Sequence, residues 1–317
     1  MNYLITGGAG FIGSNLAEKI LNDKNNDVWI VDDLSMGTID NLPNNSRIHF
    51  LEGSVTDQDT MEKLLSRENF DYIFHLAAVA SVADSVARPV ETHQVNFESV
   101  LLLLELSRKY QLDLKRLVFS SSAAVYGDEP TLPKKETSRI VPLTPYAVDK
   151  FAAERYVLNY CSLYNIPTSA VRFFNVFGPK QNPQSPYSGV ISILVDRYAK
   201  KIKCKNSKVN FTMFGDGKQS RDFIFINDVL QALMLVAESE LSLGKVYNVG
   251  NGIETNLNEL VTIMNSILDT ELPIIHSEAR SGDIKHSLAD VTCLKSLGFE
   301  TRYTVEKGLR EYLNMLF

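Results

Sequence analysis

A glycine-rich turn near the amino terminus places the strongest constraint on the fold of this 317-residue chain. Gly7, Gly10 and Gly13 follow the β-rich run at residues 3–6 and precede an apolar stretch with helical periodicity. Glycine allows a tight turn and a close approach of the backbone to a phosphate, whose charge is stabilised by free amides and the helix dipole. In this context the motif predicts a strand, a dinucleotide-binding turn and a helix.

The first half of the chain alternates β-rich runs with helical periodicity, which is typical of a parallel sheet with helices on both faces. Several of these runs are apolar at nearly every position, as doubly covered strands require. The predicted strands are residues 3–6, 28–32, 48–52, 72–77, 117–121 and 169–174. The predicted helices are residues 11–22, 60–67, 90–110 and 146–164.

The alternation of predicted strands and helices becomes less regular after residue 174. Residues 175–189 are rich in Asn, Pro, Gly and Ser, which predicts a loop or a domain crossing. Further strands are predicted at 209–214 and 222–226, and further helices at 190–201, 228–238, 257–268 and 305–316. We therefore expect an α/β fold with a Rossmann-type doubly wound parallel sheet in a cofactor-binding domain, residues 1–174. Residues 175–317 are expected to form mainly a smaller α/β substrate-binding domain, with some segments that return to pack on the first.

The composition argues against several classes of partner. A net charge of −6 and a pI of about 5.5 argue against a nucleic-acid-binding surface. Cys161, Cys204 and Cys293 are widely separated and lack metal-site spacing, so we expect no disulfide framework and no metal. No apolar run approaches the length of a membrane-spanning helix. We expect a cytoplasmic protein without a nucleic-acid or membrane partner.

An acidic residue ends the second predicted strand. Asp32 lies 19 residues after Gly13, close to the spacing of about 20 at which dinucleotide-binding folds place an acid for the adenosine ribose. A carboxylate there repels a 2′-phosphate, so the sequence favours NAD over NADP. The neighbouring Asp33 is the alternative ribose ligand.

A tyrosine and a lysine lie one helical turn apart, at Tyr146 and Lys150. A phenol has a pKa of about 10, so a role as a base near neutral pH requires roughly 4 kcal/mol of stabilisation of the phenolate. The ammonium of Lys150 and an oxidised nicotinamide could supply it. Ser122 ends a run of three serines after a predicted strand, at the sheet edge where open α/β folds bind ligands.

With these residues, the chain resembles the extended short-chain dehydrogenase/reductase family, and within it the nucleotide-sugar 4-epimerases. The resemblance covers nearly the whole chain. Its motifs are residues 6–13, 75–78 (His-Leu-Ala-Ala), 120–122, 146–150, 172–179 (Arg-Phe-Phe-Asn-Val-Phe-Gly-Pro) and 220–223 (Ser-Arg-Asp-Phe).

The resemblance implies an NAD-dependent isomerase that inverts C4 of a UDP-hexose. Ionised Tyr146 takes the proton of the sugar 4-hydroxyl as hydride leaves C4 for retained NAD, and the hydride returns to the other face after the ketone has rotated. Ser122 matches the hydrogen-bonding serine, and Lys150 matches the lysine that holds the ribose and lowers the pKa of Tyr146. Related dehydratases and decarboxylases carry an acid after the serine, whereas this chain has Ala123 and Ala124.

The resemblance also assigns ligand contacts. Those with the cofactor are Gly7, Gly10, Phe11, Ile12, Gly13, Asp32, Asp33, Ser54, Val55, Leu76, Ala77, Ala78, Asn96, Tyr146, Lys150 and Phe173. Those with the substrate are Ser122, Tyr146, Asn175, Val190, Arg221, Arg280, Asp283 and Ser287. Within the second set, the two arginines pair with phosphate and the aspartate binds the uridine ribose.

Position 287 is expected to select the sugar. In the family a tyrosine there is typical of enzymes confined to glucose and galactose, whereas a small residue such as Ser287 leaves space for a 2-acetamido group. We therefore expect UDP-GlcNAc and UDP-GalNAc as substrates, with UDP-Glc and UDP-Gal as a further pair. Ala80 replaces the lysine of glucose-type enzymes, which argues against a strict UDP-galactose 4-epimerase. Ser54 also departs from the family, in which many members have an aspartate there for the adenine amine.

Two alternatives stay open from the sequence. The first is a UDP-uronate or UDP-N-acetylhexosaminuronate 4-epimerase, which would use the same catalytic residues. The second is an NAD-binding regulator that has lost its chemistry. The resemblance further implies a homodimer formed through the helices at 90–110 and 146–164. His75 is expected to be a packed histidine rather than a catalytic or metal-binding one.

Overall fold

The computed structural model describes residues 1–183, 189–203, 209–278 and 284–316. Its strands are β1 (Asn2–Thr6), β2 (Asp27–Asp32), β3 (Ile48–Glu52), β4 (Tyr72–His75), β5 (Arg116–Ser122), β6 (Thr168–Phe173), β7 (Asn175–Phe177), β8 (Phe211–Phe214), β9 (Ser220–Phe225), β10 (Val246–Val249), β11 (Glu254–Asn256) and β12 (Ile274–Ser277). Its helices are α1 (Phe11–Leu21), α2 (Gln58–Arg67), α3 (Val82–Ala87), α4 (Pro89–His93), α5 (Ser99–Tyr110), α6 (Pro145–Tyr164), α7 (Val190–Lys203), α8 (Ile226–Glu238), α9 (Leu257–Leu268), α10 (Thr292–Lys295) and α11 (Val305–Asn314). None of these helices is long and apolar enough to cross a bilayer.

The central sheet is parallel throughout and has the strand order β10-β6-β5-β4-β1-β2-β3. Strand β1 lies between β2 and β4, so the chain winds outwards in both directions from this point. This order confirms the predicted Rossmann-type doubly wound fold. In such sheets ligands bind outside the carboxyl ends of the strands, at the point where the winding reverses.

Both faces of the central sheet are covered by helices. Successive side chains of a strand point to opposite faces, and Leu4 and Ile5 of β1 are both fully buried. Leu4 lies in one core cluster with Leu104 of α5, and Ile5 lies in the other with Leu16 of α1. Burial on both faces is the physical reason for the nearly continuous apolar runs in the sequence.

The structure differs from the predicted elements in several places, and it contains the short elements α3, α10, β11 and β12, which were not predicted. The predicted helix at 90–110 is divided into α4, a π-helical turn at Gln94–Glu98, and α5. The predicted loop at 175–189 begins with the short strand β7, which pairs with β9 in a small sheet. Strand β10 was not predicted, because four residues are too few to show a period.

Strand β10 joins the central sheet although it lies far beyond residue 174. It pairs in parallel with β6, with Val246 opposite Ala170. Helix α8 likewise packs against β5 and β6. Two smaller sheets, β11-β9-β7 and β12-β8, lie in the carboxyl-terminal part. The division into a cofactor domain and a substrate domain at residue 174 stays a prediction.

A buried ion pair fixes α6 against the sheet. Arg172 of β6 donates two hydrogen bonds to Glu154 of α6, at 2.9 and 2.6 Å, and both side chains are almost fully buried. Ser121 of β5 donates a third hydrogen bond to Glu154 at 2.7 Å. Arg172 also donates to the hydroxyl of Tyr126, which donates to Asn248 of β10. The network therefore joins the helix to three neighbouring strands.

We predict that Glu154→Gln lowers the free energy of unfolding by about 3 kcal/mol or more, because it leaves the guanidinium of Arg172 buried without its counter-charge. Urea denaturation measures the loss. The matched control is Glu306→Gln, which removes an exposed i,i+4 partner of Arg310 and should change stability by no more than about 0.5 kcal/mol. Equal effects of the two substitutions would contradict the prediction.

Candidate active site

Two clefts are lined by predicted site residues, and the first of them lies at the carboxyl edge of the central sheet. The first, here called the glycine cleft, has a volume of about 620 Å³. Its lining includes Gly7, Gly10, Phe11, Asp32, Asp33, Val55, Leu76, Ala77 and Ala78. The second, here called the arginine cleft, has a volume of about 550 Å³ and its lining includes Asn175, Val190, Arg197, Asn210, Thr212, Gln219 and Arg221. Both volumes are typical of sites for small molecules.

The glycine turn brings free backbone amides to the first cleft. Gly7 has a φ of 70°, and a Cβ there would lie 2.7 Å from the amide nitrogen of Ala77. A Cβ at Gly13 would lie 2.4 Å from the carbonyl oxygen of Gly7. Only glycine therefore allows this close packing. Helix α1 begins at Phe11 without a side-chain cap, so the amides of its first turn remain available to an anion.

Asp32 is oriented by the same turn. Its Oδ2 accepts a hydrogen bond from the amide of Ala9, and its Oδ1 accepts one from the amide of Leu34, both at 2.9 Å. Burial raises the pKa of Asp32, while these backbone hydrogen bonds lower it. A carboxylate has about four acceptor positions, so hydroxyl groups of a ligand can still bind. Asp33 is exposed and accepts hydrogen bonds from Ser35 instead.

Asn96 shapes the loop that follows β4. It lies in the π-helical turn, is buried, and holds the backbone of Val79 with both ends of its amide group. Its Oδ1 accepts from the amide of Val79 at 2.8 Å, and its Nδ2 donates to the carbonyl of Val79 at 3.0 Å. Because Val79 lines the glycine cleft, these two hydrogen bonds of Asn96 fix part of its wall.

Tyr146 and Ser122 meet at the edge of the sheet. Ser122 ends β5 and its Oγ accepts a hydrogen bond from the amide of Ala124 at 3.2 Å. Tyr146 lies in the first turn of α6, which Thr144 caps, and its hydroxyl interacts with Ser122. Burial raises the pKa of Tyr146, and the hydrogen bond from Ser122 lowers it.

Lys150 lies one turn further along α6 and is buried. Its Nζ donates to the carbonyl oxygen of Ser120 at 2.8 Å and lies 4.9 Å from the centre of the Phe119 ring. Burial lowers the pKa of Lys150 to about 7, and the charge of Asp149 partly offsets this effect. Lys150 therefore loses its proton at a lower pH than the one at which the phenol of Tyr146 ionises.

The expected lowering of the pKa of Tyr146 does not arise from the chain's own groups. Burial outweighs the hydrogen bond from Ser122, so the pKa of Tyr146 is raised from 10.0. Lys150 gives no help, because it is already neutral when Tyr146 ionises. A cationic ligand beside Tyr146 would favour both the phenolate and, through it, the ammonium.

His75 is a packed residue, as expected. It is fully buried, its Nδ1 lies 2.8 Å from the hydroxyl oxygen of Thr6, and its ring stacks on Phe119. Burial and the nearby Lys150 lower the pKa of His75 to about 3. The imidazole is therefore neutral. Across the described ranges, no cluster of His, Cys, Asp and Glu is arranged to hold a metal.

The structure brings together most of the predicted site residues, but not all of them. Ile12 and Gly13 lie in the glycine turn without lining the cleft, Ser54 is half-buried and bonded to Thr56, and Phe173 pairs with Ser122 in the sheet. Arg280 and Asp283 lie outside the described residues. The sequence analysis did not identify Arg197, Asn210, Thr212 and Gln219 of the arginine cleft, since no spacing signal connects them.

Comparisons with known proteins agree with this geometry. Residues 3–250 match the model of the NAD dependent epimerase/dehydratase family. A putative UDP-glucose 4-epimerase of Methanocaldococcus jannaschii is 34% identical over 314 residues, which cover 99% of this chain and 97% of that protein. The structure of a UDP-N-acetylglucosamine 4-epimerase from Methanobrevibacter ruminantium M1, in complex with UDP-N-acetylmuramic acid, has a TM-score of 0.91 and 37% identity, covering 99% of this chain and 97% of that one. A UDP-glucose 4-epimerase of Thermotoga maritima with UDP-glucose has a TM-score of 0.92 and 34% identity, covering 100% and 98%.

We predict that Lys150→Met stabilises the fold, because it removes a buried ammonium. The folded-state pKa of Lys150 is lowered from 10.5 to about 7, so the unfolded chain binds the proton more tightly. The resulting destabilisation is complete below pH 7 and disappears as the pH rises towards 10.5. Urea denaturation over a pH series should show a gain of a few kcal/mol below pH 7 that shrinks above it.

The control for this measurement is Lys218→Met, which replaces an exposed lysine and should leave the stability unchanged at every pH. A Lys150→Met protein that is less stable than the wild type below pH 7 would show that the ammonium is stabilised by its surroundings.

Proposed function

The chain belongs to the NAD dependent epimerase/dehydratase family, and on this premise we propose that it inverts C4 of a UDP-hexose, with UDP-GlcNAc and UDP-GalNAc as its substrate pair. The observation that carries the proposal is the contact of Ser122 with Tyr146 at the edge of the sheet, with Lys150 buried one helical turn away. A serine, a tyrosine and a lysine in this arrangement can move a proton at a carbon that is being oxidised.

The residues of the glycine cleft fit NAD. The first-turn amides of α1 suit a pyrophosphate, and the carboxylate of Asp32 can accept hydrogen bonds from a ribose diol. When bound there, NAD would accept a hydride from C4 and return it. We propose that residues 1–174 supply most of this cofactor site, and that residues 175–317 supply most of the UDP-sugar site, including the arginine cleft.

The chain's own residues remove and return the proton of the sugar 4-hydroxyl. Tyr146 removes the proton of the 4-hydroxyl, and it returns the proton once the other face of the sugar is presented. Ser122 interacts with the hydroxyl of Tyr146 and lowers its pKa, and the amide of Ala124 orients the serine by donating to its Oγ. Lys150 is held towards the site by the carbonyl of Ser120. With a cationic ligand bound beside Tyr146, the phenolate and the ammonium of Lys150 can stabilise each other.

Epimerisation is favoured over elimination by the residues next to Ser122. Ala123 and Ala124 form the start of a short 3₁₀ turn at this edge of the sheet, and neither carries an acid group. Elimination of water requires an additional proton donor and acceptor at the sugar. Tyr146 and Ser122 offer one hydroxyl pair for proton transfer at this edge of the sheet, which suits a reaction in which a single proton leaves and returns.

The preference for acetamido sugars rests on Ser287. The segment around it is held by backbone hydrogen bonds at both ends: Ser220 donates to Lys285 at 2.9 Å, and Lys134 donates to Leu288 at 2.8 Å. The segment therefore cannot easily withdraw from a larger side chain at position 287. The neighbouring Arg221 lines the arginine cleft, which supports a position of Ser287 close to the UDP-sugar.

A homodimer and a cytoplasmic location are also part of the proposal. Apolar side chains are exposed along α3, α4 and α6, and burial against a second copy would remove them from water. They are Val86, Val90, Val148, Tyr156 and Leu163. Cys161 and Cys293 are free thiols, in agreement with a reducing compartment.

We predict that the purified protein, supplied with NAD, converts UDP-GlcNAc into its 4-epimer. With deuterium at C4 of the substrate, the label should remain at C4 of the product, because the hydride leaves and returns without exchange with water. Nuclear magnetic resonance of the product measures both. Tyr146→Phe should reduce the rate at least about a hundredfold, since it removes the proton carrier.

Parallel assays with UDP-Glc and with UDP-GlcA and UDP-GlcNAcA test the alternatives. Turnover of the uronates alone would replace the proposed substrate by a uronate. Absence of any product from a protein that binds NAD would favour the regulator, and loss of the deuterium to solvent would exclude hydride transfer.

We further predict that Ser287→Tyr reduces turnover of UDP-GlcNAc at least about tenfold while it spares UDP-Glc, because a phenol ring fills space that an acetamido group needs. The ratio of kcat/KM for the two sugars measures the effect. Ser287→Ala is the matched control and should keep the ratio within about twofold, as it adds no volume. An unchanged ratio in Ser287→Tyr would disprove the role of this position.

A further inference from the structure

A short segment that follows strand β7 forms one wall of the glycine cleft. After β7 has paired with β9, the chain crosses to helix α1 of the first half. Residues 179–182 are here called the crossing segment. Lys180, Gln181 and Asn182 of this segment line the glycine cleft together with Gly10 and Phe11. No ligand contact was predicted for these three residues from the sequence.

One buried amide group joins the crossing segment to the glycine turn. Asn15 of α1 is 9% exposed, and its Nδ2 donates to the carbonyl oxygens of Phe11 at 2.8 Å and of Pro179 at 3.1 Å. Phe11 lines the glycine cleft, and Pro179 directly precedes Lys180, which lines it too. A donor between two carbonyls fixes their relative positions, because either hydrogen bond is costly to lose in a buried place. Asn15 therefore connects two walls of the cleft.

A second contact holds the segment about one turn further along α1. Nζ of Lys180 donates to a carboxylate oxygen of Glu18 at 2.8 Å, and the side chain of Glu18 is exposed. The backbone of Lys180 has a φ of 70°, which lies in the left-handed region that residues other than glycine rarely adopt. Such a conformation persists only where the surroundings impose it. We therefore expect the crossing segment to relax when its contacts with α1 are removed.

We propose that Asn15, assisted by the ion pair of Lys180 with Glu18, is a positioning residue that holds the crossing segment against bound NAD and slows its release. The inference rests on the proposed position of NAD in the glycine cleft. The proposed reaction needs such retention, because the cofactor has to stay bound between the removal of the hydride from C4 and its return. A wall that is already fixed to α1 makes its contacts without a further ordering cost.

The charge of Lys180 offers a different route to retention, by direct attraction of the pyrophosphate. The two routes predict opposite effects of Glu18→Gln. If Lys180 acts by its charge, loss of the carboxylate frees the ammonium for the pyrophosphate, and NAD leaves more slowly. If Lys180 acts as an anchor of the crossing segment, loss of the carboxylate loosens the segment, and NAD leaves faster.

The test is the rate at which the purified protein releases NAD, measured as exchange of isotopically labelled NAD for an excess of unlabelled NAD. Asn15→Ala removes both hydrogen bonds and keeps a good helix former in α1. We expect release to be about tenfold faster, with an association rate within about twofold of the wild type, because lost contacts act mainly on dissociation. Glu18→Gln should speed release about threefold, and less at high salt, since a partly exposed ion pair is weak and screened.

Asn258→Ala is the matched control. Asn258 also lies on a helix, α9, and its Nδ2 donates to the carbonyl oxygen of Asp216 at 3.0 Å. The same chemical change is thus made outside the glycine cleft, and it should leave the release of NAD unchanged. Glu18→Gln tests the inference if Asn15→Ala fails to fold, because it changes an exposed side chain.

The outcomes separate this inference from the proposed cofactor site. Release at the wild-type rate in Asn15→Ala, or in Glu18→Gln where the first variant does not fold, would show the inference to be wrong. Slower release in Glu18→Gln, or an equal rise of release and association, would also overturn it. In each of these cases the cofactor site stands if Asp32→Ala weakens the binding of NAD. If Asp32→Ala binds NAD as tightly as the wild type, the proposed site fails and the inference fails with it.

Discussion

The ion pair between Glu154 and Arg172 is the interaction on which the geometry of the site depends. Two ionised groups are removed from water here, and the cost is offset only because each has several well-placed partners. The bidentate bond sets the depth at which α6 lies on the sheet. Since Tyr146 and Lys150 lie on the same helix, at intervals of four residues from Glu154, this depth also determines whether Tyr146 reaches Ser122.

The same network extends to the part of the chain that carries Ser287. Arg172 bonds to Tyr126, and Tyr126 bonds to Asn248 of β10. Asn248 in turn donates hydrogen bonds to the carbonyls of Lys134 and Asp290. The segment before Asp290 is therefore held by the same hydrogen-bond network as helix α6. A Rossmann sheet alone would not connect a residue near 290 with one near 150; the returning strand β10 makes the connection.

The features that could be predicted from the sequence are those set by residues close together in the chain. The glycine turn, the strands of the first half and the pair Tyr146 and Lys150 are local patterns, with periods of two or of about four residues, and they were predicted. Strand β10 was missed because its four residues acquire strand structure only by pairing with β6. Asn175, Val190 and Arg221 of the arginine cleft were predicted, whereas Arg197, Asn210 and Thr212 were missed because α7 and β8 come together only in the folded protein. The raised pKa of Tyr146 could not be predicted either, since burial is a property of the whole site.

Burial explains why Tyr146 and Lys150 need charges from outside their apolar surroundings in order to ionise. The apolar surroundings that align Tyr146 and Lys150 also favour their neutral forms. The burial that orders the two side chains therefore opposes their ionisation. One way to resolve the conflict is to place charges of the opposite sign just outside the apolar layer. A cationic ligand in the glycine cleft would do this for Tyr146, and the phenolate that it favours would in turn favour the ammonium of Lys150.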